Sequence, residues 1–227
     1  VTSDVTLVSD ADVTSFAVGN SIAKTVTVTY TAPAASGTGQ NMPFTDVSTG
    51  DWYYGSVYGA WKNKLISGAS ETLYKPNNTL TVAETVKLSA ALHQLQNNGQ
   101  VTLTNGTPWY STYVAYAVEH GIIEKEYLDY TPAQMHAPAS RTEFVHIFFG
   151  AMNDYEVLND IADDQIPDVK MGDKYASEIY TFYRAGILTG SGSSGVFNPS
   201  STIKRSEAAA ILNRMFDAST RKSFTLS

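Results

Sequence analysis

The sequence predicts a mainly α-helical chain built from three tandem repeats, with a short β-rich segment ahead of them. Three observations lead there. From Phe44 onward apolar residues recur at spacings of three and four, the period of one buried helix face. A common succession of landmarks ends at Glu84, Glu143 and Glu207, at intervals of 59 and 64 residues. Repeats of that size bury their cores only together. The first forty residues have a different texture, with the two-residue alternation of a half-buried strand at Thr25-Val26-Thr27-Val28-Thr29-Tyr30.

Taken in order, residues 1–40 hold that strand, weaker candidates at Val5 to Val8 and Phe16 to Val18, and a small-residue linker from Pro33 to Gly39. They read as the tail of a preceding β-domain, as a strand pair leaning on the helical repeats, or as a plain spacer. Each later unit opens on an aromatic or Asp-bearing loop, runs through a helix ending near Gly, turns at Pro or Asn, and enters a second helix. Unit one (41–100) shows Asp51-Trp52-Tyr53-Tyr54, Lys64-Leu65-Ile66-Ser67-Gly68, Tyr74-Lys75-Pro76-Asn77 and Thr81-Val82-Ala83-Glu84. Unit two (101–160) shows Pro108-Trp109-Tyr110, Gly121-Ile122-Ile123, Ala137-Pro138 and Ser140-Arg141-Thr142-Glu143. Unit three (161–227) shows Asp168-Val169, Tyr175, Gly186-Ile187-Leu188-Thr189-Gly190, Phe197-Asn198-Pro199 and Lys204-Arg205-Ser206-Glu207. The acidic stretch from Asn153 to Asp168 reads as a solvated linker between units two and three.

Composition narrows the function. Fifteen Lys and Arg stand against 22 Asp and Glu, a net charge of −7 over 227 residues, with four His and no Cys. That balance excludes a general nucleic-acid binder, which needs a broad basic face, and disfavours docking on anionic lipid. The absence of Cys removes disulfides, thiolate metal sites and cysteine nucleophiles. No apolar run of about 18 residues is present to span a membrane. The chain opens on Val1 without Met or a leader pattern, which points to a mature fragment of something longer. His93, His120, His136 and His146 lack metal-ligand spacing, the Gly-rich stretch from Gly190 to Gly195 lacks the Lys of a phosphate loop, and no carboxylate pair stands out for catalysis. No cofactor, metal site or catalytic residue is therefore predicted.

The quoted motifs resemble the S-layer homology family, whose pattern is an F-x-D-V opening, a W-A helix, G-I-[IL]-x-G, and F-x-P-[ND]-x-x-[IL]-T-R-A-E running into a helix. Phe44-Thr45-Asp46-Val47 and Leu80 complete the likeness in unit one, Pro167-Asp168-Val169 and Ile203 in unit three, and the match runs from about Phe44 to Phe216. The resemblance implies a three-fold pseudo-symmetric, three-pronged helical spindle around a central three-helix bundle. Its grooves would hold secondary cell-wall polysaccharide carrying an anionic pyruvate ketal. The chain would then be a non-enzymatic anchor, extracellular on a Gram-positive cell wall or S-layer. Peptidoglycan itself is a further candidate ligand, and a structural, protein-interaction role within the S-layer is the rival reading.

The residues bear on that chemistry one by one. Thr81-x-x-Glu84 and Ser140-x-x-Glu143 fit capping boxes. Arg141 and Arg205 stand at the first helical position, where the macrodipole disfavours a cation unless an anion joins it. There, a guanidinium and first-turn amides are expected to meet one ligand carboxylate. Lys204 is expected to add a second cation beside Arg205, and Lys64, just before Leu65-Ile66-Ser67-Gly68, is a weaker candidate for the anion. Trp52 and Trp109 read either as core or as platforms for the apolar face of a sugar. Gly68 and Gly190 fit helix C-caps at positive φ and would let backbone approach the ligand. Asp46 and Asp168 read as turn caps or as acceptors for sugar hydroxyls. Val82 replaces the arginine in unit one, and Glu124 replaces the second glycine region in unit two, so unequal grooves are expected.

Overall fold

Seven α-helices form among the residues described by the computed structural model, 42–152 and 154–226. They are α1 (Tyr54–Lys62), α2 (Val82–Asn98), α3 (Ser111–Glu119), α4 (Pro132–Met135), α5 (Arg141–Phe149), α6 (Ala176–Arg184) and α7 (Arg205–Phe216). The β-rich segment expected at 1–40 lies outside the described residues. Strand structure in the rest is confined to isolated bridges.

Local chemistry fixes the helix starts. Thr81 Oγ1 accepts the Glu84 amide at 3.2 Å while Glu84 Oε2 accepts the Thr81 amide at 2.9 Å, the reciprocal cap the sequence predicts. Ser140 Oγ accepts the Glu143 amide at 3.1 Å. Lys204 has no acceptor, so Glu207 closes that end alone by taking the Lys204 amide at 2.9 Å. Short α4 starts with Pro132 behind a Thr131–Gln134 capping box.

The helices pack in a staggered order. α1 lies on α7, α3 on α2 and α6 on α5, so the first helix of each unit rests on the second main helix of another unit. α2 also packs on α5 and α7. At the centre, the residues just before the three caps close a ring. Leu80 N–H donates to the Ile203 carbonyl at 3.1 Å, Ile203 N–H to Ala139 at 3.3 Å, and Ala139 N–H to Leu80 at 2.9 Å. All three residues are buried, and bonds of this kind contribute on the order of 1 kcal/mol each. Around them lie Leu92, Met135, Phe144, Phe148 and Phe197, all buried.

Two expectations need correction. Gly68 is not a positive-φ C-cap, and Gly190, at φ 68, lies beyond the helix end. The left-handed residues just past α1, α3 and α6 are Lys64 (φ 59), Gly121 (φ 67) and Gly186 (φ 70). Gly68 is required instead by close approach, because a Cβ there would run into the Ser70 and Leu73 carbonyls and the Phe44 ring. The stretch read as a solvated linker is partly core. Ile161, Ile166 and Asn159 are buried. Asn159 Nδ2 donates to the Tyr183 and Lys222 carbonyls at 2.9 and 3.0 Å, and its Oδ1 accepts the Phe224 amide at 2.9 Å. The chain end is thereby fastened to the loop before α6.

Candidate ligand grooves

Three depressions open where the starts of α2, α5 and α7 meet neighbouring loops. The first, about 430 Å³, is walled by Ser67, Gly68, Lys75, Glu84, Lys87, Trp109 and Arg205. The second, about 160 Å³, is walled by Trp52, Arg141, Gly190, Glu207 and Arg214. The third, about 520 Å³, is walled by Glu124, Glu126, Tyr127, Tyr130, Glu143, Lys174 and Tyr175. The structure thus brings Arg205, Gly68 and Trp109 together in one groove, and Arg141, Gly190 and Trp52 in another. Lys64 lines a separate hollow beside the first groove. Lys204, Asp46 and Asp168 line none of the three.

The arginines are joints between segments before they are anything else. Arg205 Nε donates to the Tyr74 carbonyl at 2.8 Å and Nη2 to the Ser67 carbonyl at 3.0 Å. Its guanidinium lies 4.7 Å over the Tyr74 ring, with Glu84 Oε1 3.9 Å away. Arg141 makes the matching reach: Nε to the Phe197 carbonyl at 2.7 Å, Nη1 to Glu207 Oε1 at 2.9 Å, and the plane 5.2 Å over Phe197. The expected free first-turn amides are also engaged. Arg141 and Thr142 amides donate to the Ser201 and Pro199 carbonyls, and Arg205 and Ser206 amides to those of Asn78 and Pro76. Loop carbonyls therefore hold the sites that a ligand carboxylate was expected to take.

Asp46 and Asp168 are likewise structural. Asp46 accepts the Tyr74 and Lys75 amides at 2.8 and 2.7 Å, and Asp168 those of Phe197 and Asn198 at 2.8 and 2.6 Å. With one backbone amide on each oxygen, both carboxylates act as turn clamps. Lys204 is exposed at the bridge to Thr79 and adds nothing to the Arg205 groove. Trp52 is 67% exposed, which removes the core-packing reading for that ring. Trp109 is half-buried, edge-on to Tyr110 at 5.5 Å.

Charge separates the grooves. The first carries Lys75, Lys87 and Arg205 against Glu84. The second carries Arg141 and Arg214 against Glu207. The third reverses the sign, with Glu124, Glu126 and Glu143 against Lys174. Lys87 and Lys75 escape sequence reasoning. Lys87 stands three residues past Glu84, hence on the same helix face, and that spacing is the available signal. Its ammonium lies 5.0 Å from the Tyr113 ring and 5.7 Å from Trp109.

The third groove borders a second feature that the sequence does not reveal. His146, 8% exposed at its side chain, contacts Glu124 Oε2 at 2.9 Å and Glu178 Oε2 at 3.1 Å, and stacks on Tyr175 at 3.7 Å. Burial opposes its charge, but hydrogen bonds to Glu178 and Glu124 outweigh it and hold the imidazole above its ordinary value. Burial would raise the Glu124 carboxyl, yet the His146 hydrogen bond brings it below its usual range. Burial pushes Glu143 up, and Lys174, His146 and the Ser140 amide offset only part of that. Among the described residues no group of three His, Asp or Glu side chains is placed to hold a metal ion.

Comparison with known proteins gives the family. The S-layer homology domain matches residues 43–85 and 165–209. The chain carries S-layer homology domains. The matched stretches contain Gly68, Glu84, Gly190, Arg205 and Glu207, which line the first and second grooves. Over 189 residues, 79% of its length, the chain is 25% identical to "Exoglucanase XynX" of Acetivibrio thermocellus, covering 17% of that protein. Over 164 residues, 68% of its length, it is 27% identical to "Amylopullulanase" of Thermoanaerobacterium thermosulfurigenes, covering 8% of that protein. The chain thus spans less than a fifth of either relative. S-layer homology domains are non-catalytic modules that anchor surface proteins to the cell wall, which associates this chain with the cell surface. No helix among the described residues is long and apolar enough to cross a membrane.

Proposed function

We propose that this chain is a non-catalytic carbohydrate-binding anchor that holds a surface protein on a Gram-positive cell wall. It does so by gripping secondary polysaccharide with pyruvate-ketal carboxylates in the first and second grooves. Residues 101–160 form a further S-layer homology domain between the two matched stretches. In support, α3 and α5 follow the helix order of the flanking stretches, and Ser140 and Glu143 stand where Thr81 and Glu84 do.

The observation that carries the reading is the local reversal of charge. On a chain of net charge −7, the first groove sets three cations against one carboxylate beside a tryptophan. An anionic sugar fits such a place: ammonium and guanidinium groups face its carboxylate, and the indole covers its apolar C–H face. The third groove, with its carboxylate excess, does not take that ligand.

Titration calorimetry with a wall disaccharide bearing a pyruvate ketal, against the same disaccharide without it, tests the proposal. The ketal is expected to strengthen binding at least tenfold, and Lys87→Gln to remove most of that gain. Equal affinity for the two sugars refutes the ketal claim. Undiminished binding to walls stripped of secondary polymer replaces it with peptidoglycan recognition.

A further inference from the structure

Beside the first groove lies a hollow of about 650 Å³ that the proposed function does not use. Ile66, Ser67, Gly68, Lys87 and Leu88 line both spaces, so the hollow and the groove adjoin along these residues. Each space is within the roughly 300–1,000 Å³ typical of small-molecule sites. The hollow has an apolar floor that includes Phe44, Leu65 and Leu103, while its charges are Lys64, Lys87 and Glu71.

Lys64 is the residue that the fold leaves unexplained. It comes just after α1 at φ 59, in the left-handed region where a side chain is disfavoured. The residues in the same place after α3 and α6 are Gly121 and Gly186. A lysine is therefore kept where glycine would serve the helix end better. The corresponding hollow behind α3, about 230 Å³, is lined by Gly121, Glu124, His146 and Glu178 and holds no lysine. Lys87 and His146 are each the sixth residue of their helices, so a lysine stands beside the first groove where a carboxylate-paired histidine stands in the hollow behind α3.

We infer that the first groove and this hollow form one extended site, in which the hollow takes a second acidic sugar residue of the same polysaccharide strand, met by Lys64 and Lys87. The inference rests on the reading of the first groove as a carbohydrate site. Sugars suit the hollow because their C–H faces cover apolar floors while their acidic groups seek the lysines at the edge.

The test is calorimetry on the full chain with two probes of the same linkage: a disaccharide with one pyruvate ketal and a tetrasaccharide with two. The tetrasaccharide is expected to bind at least tenfold tighter. Lys64→Gly installs the residue found after α3 and α6, so the fold is kept. It should lose that tenfold gain while leaving the disaccharide affinity unchanged. Equal affinity for both probes overturns the extended site and leaves the groove reading intact. A Lys64→Gly variant that keeps the full gain overturns the assignment of Lys64. Binding of neither probe overturns the groove reading and the extended site together.

Discussion

Replacing Arg205 by Met keeps the apolar stem and removes the guanidinium, so it separates the joint from the groove. In the parent, Nε and Nη2 donate to the Tyr74 and Ser67 carbonyls, and the plane rests 4.7 Å over the Tyr74 ring. Tyr74 is 2% exposed, so its carbonyl loses a partner that water cannot easily replace, a cost of about 1–3 kcal/mol. Ser67 is exposed, and its carbonyl rehydrates cheaply. The lost cation–π contact adds about 0.5–1 kcal/mol. The Glu84 pair, at 3.9 Å with Glu84 38% exposed, adds little. A total of about 1.5–4 kcal/mol corresponds to a fall in Tm of roughly 3–16 °C for a domain of this size. Thermal unfolding followed by circular dichroism measures it. Arg205→Lys should fall between, because one ammonium cannot match the two-carbonyl fork. A Tm for Arg205→Met within about 1 °C of the parent would refute the joint, whatever happens to binding. Loss of binding in arginine variants is therefore informative only at temperatures where unfolding has been excluded.

His146→Gln should cost most in mildly acidic solution. The raised imidazole contributes stability below its unfolded value of about 6.5, lost as pH rises through the folded value, while the lowered Glu124 contributes above the ordinary carboxylate range and loses its share as pH falls through its folded value. The parent-minus-variant Tm difference should thus be larger at pH 5.5 than at pH 8.5; a constant difference counts against the network. Glu143→Gln should raise Tm at pH 7.5 and lose that benefit below pH 4.5, since a carboxyl raised by burial stabilises only when protonated; an unchanged Tm at pH 7.5 refutes it. Gly68→Ala should cost about 1–3 kcal/mol by forcing a Cβ against two carbonyls and the Phe44 ring, and should weaken sugar binding, as denaturant midpoints and calorimetry would show. Stopped-flow association of the ketal disaccharide should quicken with salt between 10 and 150 mM, because the net charge of −7 repels an anion at long range; slowing would show that the groove's own field dominates.

What is legible in the sequence is local. The Thr81–Glu84 cap is a four-residue pattern with one geometric solution, and the structure forms it. Leu80, Ala139 and Ile203 stand just before their caps, so the repeat register already aligns the three residues that close the central ring. The direction of side chains toward distant partners is not legible. Arg141 and Glu207 are 66 residues apart, and Arg205 and Tyr74 are 131 apart. Nothing in the local pattern separates a guanidinium awaiting a ligand from one spent on a neighbouring carbonyl. His146 escapes the sequence for the same reason, since its two carboxylates lie 22 and 32 residues away on different elements. Lys64 reads in sequence only as a weaker candidate for the ligand anion, and the structure sets it on the hollow that adjoins the Arg205 groove.

The grooves and the joints between segments are the same places, and this explains how the third groove can lack an arginine and carry the opposite charge. Arg205 and Arg141 fasten α7 to the loop before α2 and α5 to the loop before α7, and each lies in the groove it closes. At the third position Val82 is buried and offers no ionic contact. The junction there is carried by other means: the Val82 amide donates to the Ala137 carbonyl at 3.0 Å, and His146 ties Glu124 to Glu178 on α6. Once those bonds hold the segments together, the groove is relieved of its arginine and can fill with Glu124, Glu126 and Glu143 at no cost to the fold's closure. A single valine for arginine therefore changes the groove's charge and its fastening at once. Restoring arginine at residue 82 would have to supply a guanidinium-accepting carbonyl as well, because helix α4 occupies the stretch that presents Tyr74 and Phe197 in the other two grooves.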